Sequence, residues 1–276
     1  MSALRREFVK TLFQKRTYIG WVGLFIIPFL MMLAFRFSDG GPHGEGAGAT
    51  PDVGQLIFTQ IRDNGMYLLV ASLLAMATFF LPLLSSMAGS FTVAGEAEKG
   101  TLRTTLMQPI RRGALLMAKW GAANIYVAIC LAILGLAALI AGGSVFGLDP
   151  VRLFTGQEIG VGHALGLAVA SYLFVFVGMV CVVSLAVLFS TLTDSSLTAV
   201  AAALILVIIM EALGAFEVFD FLRPYMFPSR WDAWTNFLSS PVDWDPIIKA
   251  LITFAVWIVG TTGLAYWRFR TKDVLS

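Results

Sequence analysis

Charge is scarce in this sequence: 13% of its 276 residues are Asp, Glu, Lys or Arg, 58% are hydrophobic, and the mean hydropathy is +0.82. Soluble domains carry about a quarter charged residues and about 45–50% apolar ones. A water-soluble globule is therefore excluded, and a chain solvated by lipid is implied. Histidine and cysteine are nearly absent, with two of each. His43 falls in a Gly- and Pro-rich stretch and His163 at a span boundary, which leaves little material for histidine-based catalysis or a metal site. Cys130 and Cys181 lie inside long apolar runs and read as small packing residues. No G-x-x-x-x-G-K-[ST] motif occurs, and Gly95–Thr101 (GEAEKGT) has its glycines in the wrong order for a phosphate-cradling loop. The chain is thus expected to be no enzyme, with no catalytic residue, cofactor or metal of its own. A cleavable leader is not expected either, because the first apolar run ends at Phe35-Arg36-Phe37 and not at small residues.

What is present is a series of long runs almost without charge. They predict six transmembrane helices at about 18–36, 66–93, 115–141, 162–190, 196–215 and 247–267, each able to supply the roughly 20 apolar residues that cross the hydrocarbon layer. The second run extends from Asn64 to Gly95, long enough for its helix to project beyond the bilayer. The runs are continuous and not alternating, so helices are preferred to the strands of a barrel. The fold class expected is an all-α integral membrane protein forming a single transmembrane domain over residues 1–276.

Six spans put both termini on one side. Arg5, Arg6, Lys10, Lys15, Arg16, Lys99, Arg103, Arg111, Arg112, Lys119, Arg268, Arg270 and Lys272 share that side, a clear majority of the 19 basic residues. The positive-inside rule makes both termini cytoplasmic; the membrane expected is the plasma (inner) membrane. Residues Ser2–Arg16 pattern as an amphipathic interfacial helix, with Leu4, Phe8, Leu12 and Phe13 on one face. Ser38–Asp52 reads as a flexible outer loop, and Val53–Arg62 as a short outer helix. Phe216–Pro246 is rich in aromatics and broken by Pro224, Pro228 and Pro241. It is read as an outer re-entrant helical hairpin with its rings at headgroup depth.

Chemistry concentrates in the connection between the second and third spans. Glu96 and Glu98 end a long helix, and Gly100 permits a sharp change of direction. Thr101 can cap a short helix over 101–108, with Leu102 and Leu106 on one face and Arg103 between them. Pro109 ends that helix, and Arg111, Arg112 and Lys119 anchor the third span at the inner surface. A compact helix with an apolar ridge and charged flanks suits docking into a groove on a soluble partner.

These residues resemble the signature of type-2 ABC exporter permeases: E-x-E-x-G-T-L at Glu96-Ala-Glu98-Lys-Gly100-Thr101-Leu102, then L-x-x-P at Leu106–Pro109, a basic residue at Arg111 or Arg112, and Lys119. The basic start, six spans, aromatic segment before the last span and the ending Arg268–Asp273 are similar too. The resemblance implies a permease working as a dimer, expected to be a homodimer, each subunit paired with a soluble ABC ATPase that binds ATP and magnesium. Residues 96–112 would couple to that ATPase, with Asp194 in the turn Thr191–Asp194 as a secondary contact. That turn reads equally as a helix start capped by Asp194, Ser195 or Ser196. The implied function is export of a hydrophobic or amphipathic substrate such as a drug, antibiotic or lipid. Nucleic acid is not an expected partner; the lipid bilayer is.

Glu211 stands well inside a span, where a carboxylate costs about 2.5–3.5 kcal/mol at mid-bilayer. It reads either as a substrate contact or outer gate, or as a carboxylate near the outer headgroups. Trp231 and Trp234 read either as part of that gate or as interfacial anchors. The competing class, an ion-coupled carrier or a membrane anchor without an ATPase, would call for a relay of buried acids or histidines, and none is visible.

Overall fold

Hydrocarbon offers no partner to backbone N–H and C=O groups, so apolar runs satisfy them within helices. The computed structural model describes residues 15–37, 60–61, 64–101, 111–152, 158–239 and 241–271, together with Arg5, Glu7 and Phe8. Most of the expected interfacial helix (2–16), the loop at 38–52, most of the short outer helix (53–62) and the helix at 101–108 lie outside the described residues. The long helices are α1 (Lys15–Phe37), α2 (Met66–Ala77), α3 (Phe80–Ser90), α5 (Arg112–Val145), α6 (Val161–Leu192), α7 (Ser196–Gly214) and α8 (Trp244–Thr271), with a single turn, α4 (Ala94–Glu98), after α3. Five are long and apolar enough to cross a membrane, and the α2–α3 pair makes a sixth if it is counted as one span. The chain is a mostly helical, multi-pass membrane protein.

The uninterrupted span expected over 66–93 is corrected by the structure. It is two helices bent by 56° at Thr78–Phe79. Pro82, in the first turn of α3, has no N–H to offer the Thr78 carbonyl, and its ring crowds that carbonyl. The longest helices are α5, with 34 residues, and α6, with 32. At 1.5 Å per residue each is about 50 Å long, well beyond the hydrocarbon thickness. Between them lies a minimal antiparallel pair, β1 (Val151–Arg152) and β2 (Glu158–Ile159), a small departure from the all-α expectation.

α6 is the central pillar, packed along α3 and α8 and also against α5 and α7, while α1 leans mainly on α5. Close approach of α3 to α6 depends on Gly89: a Cβ there would lie 2.7 Å from the Val183 carbonyl oxygen and 2.7 Å from the Ala186 methyl. Polar ties cross the apolar interior. The Tyr172 hydroxyl donates to the Leu69 carbonyl at 3.1 Å, joining α6 to α2. Trp120 Nε1 donates to Ser184 Oγ at 2.9 Å, joining α5 to α6. In hydrocarbon such bonds are worth about 0.6 kcal/mol each on average.

The aromatic segment is helical but of 3-10 type, at Glu217–Phe219, Arg223–Tyr225 and Pro228–Leu238. Its last turn packs on α6 and α8. Phe227, Trp231, Trp234 and Phe237 are buried there, whereas Phe216, Phe221, Tyr225 and Trp244 stay exposed. Proline fixes φ and has no N–H to offer, which suits Pro224 and Pro228 to the starts of the second and third of these segments.

Candidate functional site

The turn after α3 is held by a network that starts from a buried cation. Lys119, in the second turn of α5, is 1% exposed. It was expected at the inner surface, and burial without counter-charge would be prohibitive. Its Nζ donates to Glu96 Oε1 at 2.7 Å and to Glu7 Oε2 at 3.1 Å. One ammonium therefore joins three pieces of chain: the N-terminal segment, α4 and α5. The trio borders a cavity of about 100 Å³ between α1, α3 and α5, which Thr17, Phe91 and Tyr126 also line.

Glu98, at the other end of the same short turn, points elsewhere. Its carboxylate accepts from Ser196 N at 3.1 Å and from the Ser196 hydroxyl. It therefore sits at the first turn of α7, where N–H groups lack intrahelical partners and the helix dipole favours an anion. The Ser196 hydroxyl, then the Ser196 N–H, hold the Glu98 carboxyl below the ordinary carboxylate range. Of the three capping candidates for α7, Ser195 is the one whose side chain accepts from Thr198 N, at 3.4 Å. Asp194 is exposed in the same turn.

A third tie comes from Ser190 near the end of α6. Its hydroxyl donates to the Ser90 carbonyl at 2.7 Å and accepts from Val93 N at 3.1 Å and Ala94 N at 2.8 Å. These bonds carry the chain from α3 into α4. The end of α4 is closed by a Schellman arrangement: Gly100 N donates to the Ala97 carbonyl at 2.9 Å, and Thr101 N to the Glu96 carbonyl at 2.9 Å. Gly100 has φ +68°, the left-handed conformation that the turn demands. Thr101 Oγ1 also donates to the Glu96 carbonyl, at 3.3 Å.

The structure thus gathers Glu96, Glu98, Gly100 and Thr101 into one turn, with Arg111 and Arg112 exposed at the start of α5. Leu102, Arg103, Leu106 and Pro109 lie outside the described residues. Sequence reasoning missed Glu7, Ser190 and Ser196 as members of this network. Glu7 carried a signal, as an isolated acid in a basic segment. A serine in an apolar run carries none.

At the opposite end of the bundle, Glu211, Trp231 and Trp234, separated by up to 23 positions in sequence, line one cavity of about 40 Å³. Glu211 is half-buried near the end of α7, and the indoles are buried beneath the last 3-10 turn. No cluster of three or more His, Cys, Asp or Glu side chains suited to a metal is found among the described residues.

The chain is 35% identical over 102 residues to the probable ABC transporter permease protein NosY of Stutzerimonas stutzeri, a stretch covering 37% of this chain and 35% of that protein. It is 37% identical over 112 residues to NosY of Pseudomonas aeruginosa, covering 41% of this chain and 35% of that one. The matched stretch spans about a third of each relative's length. A family model described as ABC-2 family transporter protein matches residues 1–274. The chain therefore belongs to the ABC-2 transporter family.

Proposed function

We propose that this chain is the transmembrane permease subunit of an ABC exporter, powered by a separate soluble ATPase that docks on the face bearing α4. The observation that carries this reading is the wiring of the turn between α3 and α5. Glu96 reaches α5 and the N-terminal segment through Lys119, Glu98 reaches α7 through Ser196, and Ser190 links the same turn to α6. A displacement of residues 99–111 would pass through these bonds to three helices at once, as a lever must. The motif carboxylates act in this reading as internal couplers, and docking falls to Leu102, Leu106, Arg103, Arg111 and Arg112, with Asp194 as a secondary contact.

ATP and magnesium bind the partner, whose closure pulls the docked segment. The helices then exchange between arrangements open to opposite sides, and net movement follows where cargo affinity differs between them. Two copies of the permease form a homodimer in the plasma membrane, termini cytoplasmic, with the cargo path beside α1, the α2–α3 bend and α7. On that path Ile19, Val22 and Leu30 of α1 and Ile205 and Ile208 of α7 are exposed, as are apolar residues of α8. The cargo is hydrophobic or amphipathic.

The test is reconstitution with the ATPase encoded nearest to this gene. Wild-type permease should co-purify with it and stimulate its hydrolysis. Glu96→Ala with Glu98→Ala should retain binding but lose the stimulation. Wild-type stimulation by the double variant would refute the coupling assignment.

A further inference from the structure

One face of α8 changes character along its length. Ile252, Val256, Val259, Tyr266 and Arg270 follow one another at helical spacings, so they lie on one side of the helix with Trp267 beside them. All of them are exposed. The stripe is apolar over its first turns and then ends, in little more than one turn, in a phenol, an indole and a guanidinium. That order matches one leaflet of a bilayer traversed from its hydrocarbon to its headgroups, with Tyr and Trp at the boundary and a cation at the level of the phosphates.

The start of α5 forms the other wall. Gly113 lies so close to Tyr266 that a Cβ there would fall 2.3 Å from Cε2 of the ring and 2.5 Å from its hydroxyl oxygen. The Arg270 guanidinium carbon lies 5.7 Å from the centre of the same ring, a cation–π contact that holds the charge beside α5. Arg111, two residues before Gly113, is exposed as well. Lys119 is engaged by Glu96 and Glu7, whereas Arg111 and Arg270 have no carboxylate partner among the described residues. The patch therefore offers two guanidinium groups and a phenol O–H to an anion, and an apolar strip to whatever carries that anion. An acidic soluble protein would reach the arginines but not the strip, which runs into the span; a phospholipid meets both.

We propose that the end of α8 and the start of α5 bind an anionic phospholipid, its phosphate held by Arg270 and Arg111 with Tyr266 donating to it, and an acyl chain lying along Val259 and Val256. Basic sites between spans recognise acidic headgroups in this way. The occupant is a lipid of the surrounding bilayer and not the cargo, so the inference goes beyond the permease reading and depends only on the chain's crossing a membrane. Arg111 also belongs to the proposed docking segment, which leaves Arg270 as the residue that reports the lipid alone.

The experiment places the full chain in phosphatidylcholine nanodiscs doped with phosphatidylglycerol brominated on its acyl chains. Tryptophan quenching is compared with that by brominated phosphatidylcholine at equal mole fraction. Wild type should be quenched more strongly by the anionic lipid, and Trp267→Phe should remove most of the excess. Arg270→Gln should lower the relative affinity for phosphatidylglycerol about fivefold, the effect of one cation lost near acidic headgroups. Arg36→Gln, which removes an exposed arginine over Phe37 at the far end of α1, should leave the preference unchanged. Raising salt from about 0.1 M to about 1 M shortens the Debye length from about 10 Å to about 3 Å and should abolish the preference in wild type, which keeps the test decisive should Arg270→Gln fail to purify as a monodisperse protein. Equal quenching by the two lipids in wild type, a preference insensitive to salt, or full preference in Arg270→Gln would overturn the site. Excess quenching that survives in Trp267→Phe would put the lipid elsewhere and a second protein chain over the stripe, and would overturn it equally. No ATPase takes part, so each of these results leaves the permease reading standing.

Discussion

At the scale of single residues, Lys119 is the side chain whose removal the fold should tolerate least. Breaking a buried ion pair by deleting one partner costs about 3–5 kcal/mol, because the remaining charge stays desolvated. Lys119→Met leaves Glu96 and Glu7 facing each other in a site where Lys119 itself is 1% exposed. The expected outcome is a large fall in thermal stability of the purified protein, partly recovered in Lys119→Met with Glu96→Gln. Equal stability of wild type and the single variant would show that the trio is not formed.

Glu98 responds to pH in a direction its surroundings dictate. Its carboxyl is held below the ordinary 4.5 by Ser196. A depressed native value means stabilisation that is complete above the ordinary carboxylate range and is lost as pH falls through the lowered one. The link from α4 to α7 should therefore hold at neutral pH and loosen only in acid. Glu98→Gln should flatten that acid limb, and hydrogen exchange at the start of α7, followed from neutral pH down into the acid range, would register the difference.

At the scale of elements, the bend between α2 and α3 is the feature with a sharp cause. Pro82→Ala restores a donor for the Thr78 carbonyl and should lengthen the distance between spin labels placed at Ala75 and Met87, as the 56° bend opens. An unchanged distance would assign the bend to packing against α6. The turn closing α4 makes a second case. Nothing lies within 4 Å of where a Cβ on Gly100 would be, so Gly100→Ala meets only its positive φ. A left-handed residue with a Cβ costs about 1–2 kcal/mol, and differential scanning fluorimetry should register a modest loss of that size. Gly89 is the opposite case: Gly89→Val meets the Val183 carbonyl at 2.7 Å from its first added atom, an overpacking worth about 1–3 kcal/mol.

At the scale of the molecule, the helices differ in how much of their surface the chain itself covers. α6 is largely enclosed, whereas α1, α7 and α8 leave apolar faces outward. Hydrocarbon accepts such faces without penalty, so exposure alone does not separate lipid contact from subunit contact. The proposed dimer separates them. Ile205→Cys on α7 should cross-link between copies in native membranes, and Val259→Cys on α8 should not, although both positions are exposed. Cross-linking through Val259 alone would place the interface on α8 and move the cargo path with it.

The sequence by itself determined that the chain lives in a membrane, where its helical runs fall, and which segment bears the E-x-E-x-G-T-L motif. Those properties follow from composition and local pattern, because lipid imposes its demands on every segment separately. Gly100 and Pro109 punctuate that motif, and a turn at Gly100 was legible because a left-handed position needs little beyond a glycine. Only the tertiary structure decided that Lys119 faces inward, that Glu98 belongs to α7, and that Glu211 meets Trp231 and Trp234. A charge near a span end looks the same in sequence whether it reaches water or a buried partner. Which of the two it finds depends on how helices far apart in the chain pack, and an apolar run carries almost no record of that.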